Sequence, residues 1–256
     1  MKERDKFENC NVFEGIVSFR AVLSAIISGK SDRKILKVFY DTSNVKKKAK
    51  ELSFLKAKSY ELGYELLLVE KNVIDELTLG NSHGGLAFIC SDRSYSDVCE
   101  NNIKENGFYA MIDGIEDPYN FGYALRSLYA SGVDGIILSK RNWLGASGVV
   151  CRASAGASEE FDMFIAEDEN FIKCFKNKGY KIVCADKDNS ISMYEANLKK
   201  PLLLIVGGEK RGISSSVLKQ SDSIVCIEYG KPFSAALSAA SAATVLCFEV
   251  YRQNRD

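Results

Sequence analysis

This sequence carries no net charge. Lys plus Arg number 34 and Asp plus Glu 34 in 256 residues, so no bulk basic field announces a nucleic-acid partner, and any such partner must be met locally. The N-terminus, MKERDKFENC, lacks the apolar core of a secretory signal, which argues for the cytoplasm. Closely spaced cysteine pairs are missing too. Cys10, Cys90, Cys99, Cys151, Cys174, Cys184, Cys226 and Cys247 are never nearer than nine residues, which excludes a zinc ribbon or a dithiol redox motif. Most sit in apolar runs and read as buried thiols of a reducing compartment. The longest uncharged run, residues 232–248, falls short of the roughly 20 residues of a membrane span and contains serines. It reads as a packed helix, and no membrane partner is expected.

The residues that are present, 46% hydrophobic and 27% charged, have the balance of an ordinary globular protein, and the length suits two domains. Helical spacing over 14–28 stops at Gly29. An apolar run at 38–40, a lysine-rich helix over 45–62, a strand at 64–69, a short helix at 72–78 and a strand at 86–90 complete a compact unit over 1–90. Residues 91–107 interrupt both periodicities and read as a linker. From 108 to 256 the rhythm is strand (108–112), helix (121–131), strand (134–139), helix (167–178), strands at 180–185, 202–206 and 224–227, and a final helix (233–252). Short apolar strands alternating with helices predict a parallel sheet covered on both faces. Ligands of such sheets bind beyond the carboxyl ends of the strands.

Three segments just after strands carry the chemical signal. The first is Asp117-Pro118-Tyr119-Asn120, leading into a helix that contains Arg126. Asn120 also suits a helix cap, and Arg126 could simply solvate an outer face. The second is Gly207-Gly208-Glu209-Lys210-Arg211-Gly212. It lacks the spacing of a phosphate-cradling P-loop, yet its glycines let main-chain N–H groups approach a ligand, unless it is only a tight turn. The third follows Ile227 and runs through Gly230 and Pro232 into a helix rich in Ala and Ser, where small residues permit either close packing or binding.

Together these segments resemble the three motifs of the SpoU/TrmH-type RNA 2′-O-ribose methyltransferases of the SPOUT superfamily. DPYNFGYALRSLYASGVDGIIL is similar to that family's Asp-Pro-x-Asn-x-Gly-x-x-x-Arg motif, LLLIVGGEKRGIS to its Gly-x-Glu-x-x-Gly motif, and CRASAGASE at 151–159 to its Ser-Ala-Gly-Ala loop. The N-terminal part resembles the family's ribosomal-protein-like RNA-binding module, with His83-Gly84-Gly85 where relatives carry His-Gln-Gly. The third motif departs from the pattern. Relatives carry Ser-Leu-Asn-x-Ser, with a Glu near the end of the last helix. If Glu249 fixes the register, Ser238 fills the asparagine slot; if Gly230 does, Ala236 fills it and Ser238 is the second serine.

The resemblance implies an α/β fold: a C-terminal parallel-sheet SPOUT domain (108–256) with a deep trefoil knot, plus a small N-terminal α/β ribosomal-protein-like RNA-binding domain (1–90). It implies S-adenosyl-L-methionine as cofactor, bound by Gly207, Gly208, Glu209, Gly212, Ile227 and Leu237, and no metal. It also implies a homodimer formed through the knot region and an RNA substrate, rRNA more than tRNA. Arg126, Asn120 and Ser238 are the implied catalytic residues. Arg126 would stabilise developing alkoxide charge, and Asn120 and Ser238 would orient the ribose hydroxyl. Glu209 would brace its own loop. Lysines 46 to 58, with Arg141, Arg152 and Arg211, would contact RNA. An RNA-binding homologue weakened by the altered third motif is the alternative.

Overall fold

The computed structural model of the chain describes residues 11–78, 83–115, 117–139, 146–208, 212–232 and 234–255. In chain order the first elements are β1 (Asn11–Glu14), α1 (Gly15–Ile27), β2 (Ile35–Asp41), α2 (Ala49–Leu62), β3 (Glu65–Val69), α3 (Lys71–Leu77) and β4 (Leu86–Cys90). There follow β5 (Ser96–Asp97), β6 (Phe108–Ile112), α4 (Pro118–Ala130), β7 (Gly135–Ser139), α5 (Ser147–Ala153), α6 (Ala157–Glu160) and β8 (Asp162–Ala166). The last are α7 (Phe171–Asn177), β9 (Lys181–Ala185), β10 (Ile191–Ser192), β11 (Leu202–Val206), α8 (Ser215–Gln220), β12 (Ser223–Cys226) and α9 (Ala239–Asn254). Main-chain packing divides the chain into two compact units, residues 1–94 with 143–160 and residues 95–142 with 161–256.

The first unit is built on a four-stranded sheet in the order β1-β4-β2-β3. All five residues of β4 are buried, because its alternating side chains feed two cores. Leu86, Phe88 and Cys90 join Phe13, Phe19 and Leu55 on one face, while Ala87 and Ile89 join Phe39, Ile74 and Leu77 on the other. The strand β1, too short to show an alternation, is not apparent in the sequence. The lysine-rich helix starts at Ala49 rather than 45, so Lys46, Lys47 and Lys48 lie in the turn before it. It ends at Gly63, whose φ of 76° is the left-handed C-cap that glycine adopts without strain.

The helices α5 and α6, encoded between β7 and β8, belong to this first unit. Cys151 is fully buried in its core, and Gly156 lies so close to Ala21 that a Cβ there would meet the Ala21 Cβ at 2.5 Å. Arg33 and Glu159 form an ion pair at 3.2 Å with side chains only 1% and 4% exposed. The Arg33 guanidinium also donates to Ser91 O at 2.9 Å and lies 5.2 Å from the Phe13 ring centre.

The second unit carries an eight-stranded sheet in the order β10-β12-β9-β11-β6-β7-β8-β5, parallel at every described pairing. This is the parallel α/β sheet expected from the strand–helix rhythm, and the strands at 108–112 and 202–206 fall at the expected bounds. One face buries Tyr109, Phe164, Phe175, Ile182, Leu203 and Ile205. Two expectations are corrected. The run 162–166 is a strand that the sequence reading passed over, and the final helix begins at Ala239, not 233. The strand order has a topological consequence. The chain leaves β12, outside β9, and returns as α9 to pack on β11 and on α4, the helix that follows β6.

Candidate functional site

Three connections leave the carboxyl ends of β6, β11 and β12, and two of them touch. Val206 O accepts the Asp113 N–H at 2.9 Å, which joins the start of the loop after β6 to the end of β11. One residue beyond Asp113 and two beyond Val206, Gly114 meets Gly208. A Cβ on Gly208 would lie 2.6 Å from both C and O of Gly114, and Gly114 itself has a φ of +89°. No other residue type fits either position without backbone movement. The Gly208 loop then folds on itself. Gly212 donates its N–H to Gly208 O at 3.0 Å, and a Cβ on Gly207 would lie 2.6 Å from the Gly212 carbonyl carbon. Gly207, Gly208 and Gly212 are thus brought together, while Glu209, with Lys210 and Arg211, lies outside the described residues.

The loop after β6 hands over to α4. The N-cap is Asp117, whose side chain accepts the Tyr119 N–H at 3.0 Å, with Pro118 at the first helical position. Asn120 is therefore not the cap, as the sequence alone allowed. It sits in the first turn, exposed, and its side chain is free of that structural duty. Arg126 is also exposed, while Phe121, Ala124, Leu125 and Leu128 bury the opposite face. Arg126 lies six positions after Asn120, about 9 Å along the helix axis and about 120° around it.

The third connection contributes Ile227, Leu237 and Ser238. Ser238 is the N-cap of α9: its Oγ accepts the Ser241 N–H at 3.2 Å and donates to Ser241 Oγ at 2.9 Å. Leu237 donates its own N–H to the Tyr229 hydroxyl at 3.1 Å. Glu249, five per cent exposed, is held well inside the ionised range by hydrogen bonds from Arg252 and Gln253. It braces the last turn of α9 and faces none of the three loops' described partners. A Cβ on Gly212 or on Gly230 would meet nothing within 4 Å, so neither glycine is held by close packing.

Of the basic residues expected near the site, Arg152 is instead paired with Glu14 in the first unit, and Arg141 and Arg211 lie outside the described residues. The sequence reading missed Gly114. Its signal was an Asp-Gly turn directly after a strand. It also missed Asp113, whose carboxylate accepts from Ser139 Oγ at 3.2 Å and ties the end of β7 to the same loop.

Comparison with known proteins agrees with this geometry. Residues 107–248 match the SpoU rRNA Methylase family. A protein of Staphylococcus saprophyticus assigned to the TrmH family of tRNA/rRNA methyltransferases is 33% identical over 245 residues, 93% of this chain and 95% of its own. The 23S rRNA (guanosine-2′-O-)-methyltransferase RlmB of Shewanella oneidensis is 30% identical over 203 residues, 75% of this chain and 80% of its own. Among solved structures, an AdoMet-bound rRNA methyltransferase from Sinorhizobium meliloti superposes with a TM-score of 0.80 at 23% identity, covering 100% of this chain and 91% of its own. With glycine loops in contact at the carboxyl edge of a parallel sheet and a match over more than half its length, the chain belongs to the SpoU rRNA Methylase family.

Proposed function

We propose that this protein transfers a methyl group from S-adenosyl-L-methionine to a ribose 2′-hydroxyl in structured RNA, ribosomal RNA rather than tRNA. The observation that carries the reading is the packing of Gly208 on Gly114, because it joins a main-chain binding loop to the loop that starts the Arg126 helix. The loops at 207–212 and 227–237, with Glu209 bracing the first, would hold the methyl donor through main-chain groups. Bound there, S-adenosylmethionine supplies a methyl group already activated by its positively charged sulfur. The chain's own residues would have to align the 2′-oxygen with that carbon and let the hydroxyl proton pass to water, the neutral thioether S-adenosylhomocysteine being the leaving group. A guanidinium is a reluctant base, so Arg126 stabilises the developing negative oxygen and grips the neighbouring phosphate. Asn120 orients the hydroxyl. Ser238, its oxygen committed to capping α9, sets the position of Leu237.

RNA would be gripped by the first unit. Lys46, Lys47 and Lys50 are exposed around the turn before α2, whereas Lys48 is bonded to Gly84 O at 2.8 Å and Lys58 to Glu61 at 2.6 Å. The reading thus favours the turn over the full length of the helix. A homodimer through the region of the crossing chain is supported by an exposed apolar face on α9, where Val245, Phe248 and Tyr251 are 36%, 43% and 48% exposed. The return of the chain from β12 to α4 suits a trefoil knot. No described helix is long and apolar enough to cross a membrane, and the seven described cysteines are free thiols.

The test is a map of 2′-O-methylated nucleotides in total RNA from cells with the protein, without it, and with Arg126→Lys. One site should disappear without the protein and fall at least tenfold with the lysine, which lacks the planar fork. An unchanged map in the deletion strain would favour the second reading, an RNA-binding homologue whose third motif has lost its asparagine.

A further inference from the structure

We infer that the Tyr229 hydroxyl sets the shape of the 227–237 connection for the methyl donor, making Tyr229 a positioning residue of the site. The inference rests on the methyltransferase reading above. Between β12 and α9 the described chain is without regular structure, and no main-chain hydrogen bond joins its described residues across the loop. What closes it is a side chain. The Leu237 N–H donates to Tyr229 Oη at 3.1 Å across eight residues. Tyr229 is 40% exposed, so burial of the ring alone does not account for a tyrosine here. Immediately after Leu237, the Ser238 cap fixes the start of α9. The exit of the loop is therefore held at two consecutive residues, one by a phenol and one by a serine.

That arrangement bears on the altered third motif. An asparagine, able to bond main-chain groups on both sides, is replaced by Ala236 or by Ser238, according to register. Ala236 offers no such bond, and the Ser238 oxygen is already engaged with Ser241. Tyr229 supplies a tie from the other end of the same connection. A loop closed in advance costs less order when a ligand settles into it, so the hydroxyl should appear in donor affinity and not in the chemical step.

The experiment compares wild type, Tyr229→Phe and Tyr229→Leu. Hydrogen exchange of unliganded protein reads the tie directly, calorimetry with S-adenosylhomocysteine reads affinity, and steady-state kinetics separates KM from kcat. In Tyr229→Phe, amides at 234–238 should exchange faster and S-adenosylhomocysteine should bind about fivefold more weakly, the effect of one neutral hydrogen bond. KM for S-adenosylmethionine should rise similarly, with kcat and KM for RNA unchanged, and Tyr229→Leu should match Tyr229→Phe. Unchanged exchange and affinity in Tyr229→Phe would overturn the inference. So would tighter binding, which would make the phenol a competitor for the Leu237 amide, or a loss confined to Tyr229→Leu, which would assign the effect to ring packing. If wild type binds no S-adenosylhomocysteine, the methyltransferase reading fails and takes the donor role with it, while the exchange result still reports whether the hydroxyl orders the loop.

Discussion

Ser238 shows how one hydroxyl divides between structure and chemistry. Its resemblance to a motif serine suggests contact with substrate, but its oxygen accepts the Ser241 N–H and its proton goes to Ser241 Oγ. Ser238→Ala should lower stability by about 1 kcal/mol, the usual cost of a lost N-cap. Ser238→Asp, also a good cap, should restore both stability and most turnover. Thermal unfolding and methyl transfer measured side by side distinguish the roles: an aspartate variant that is stable but inactive would return Ser238 to the reacting atoms. Gly114 makes a related point. Its φ of +89° and its contact with Gly208 are each local facts, and only together do they explain why a bare backbone is required at both positions.

At the scale of elements, α9 is held at both ends by different means. Its start depends on the Ser238 cap, and its last turns depend on Glu249, Gln253 and Asn254. Gln253 accepts the Leu198 N–H at 2.9 Å and donates to Ala196 O at 3.0 Å, while Asn254 accepts the Lys200 N–H at 3.0 Å. These bonds fasten the end of α9 to the segment entering β11. Hydrogen bonds from Arg252, helped by Gln253, hold the Glu249 carboxyl below its ordinary value of 4.5. A lowered folded-state value means that ionised Glu249 stabilises the folded protein above the unfolded-state pKa, and that this contribution disappears as pH falls through the lower folded value. Glu249→Gln should therefore cost about 1.5 kcal/mol at neutral pH, and the gap from wild type should close below about pH 4.5. Urea unfolding across pH 3 to 8, conditions set by those reference values, checks both the size and the sign.

For the whole molecule, the informative feature is that residues 143–160 complete the first unit although they are encoded inside the second. Residues 1–94 expressed alone would lose Glu159, the carboxylate paired with Arg33, together with the packing of Cys151 in the first unit's core. Such a fragment should show no cooperative unfolding transition by circular dichroism, whereas the full chain should. Much of the architecture was legible in one dimension. Five-residue apolar runs at 108–112 and 202–206 are strands by length and period alone, and the glycines at 207, 208 and 212 mark a loop that must bend tightly. Other short pieces were not legible: β1 and α6 have four residues each, and β8 opens on an exposed Asp162 that leaves an apolar run of only four. The sequence by itself determined the strand–helix alternation and the motif residues, because these depend on local spacing. Only the tertiary structure decided that Gly208 rests on Gly114, that Asp117 rather than Asn120 caps α4, and that Tyr229 reaches Leu237. Each of those depends on which distant backbones meet, and spacing along the chain carries no record of that.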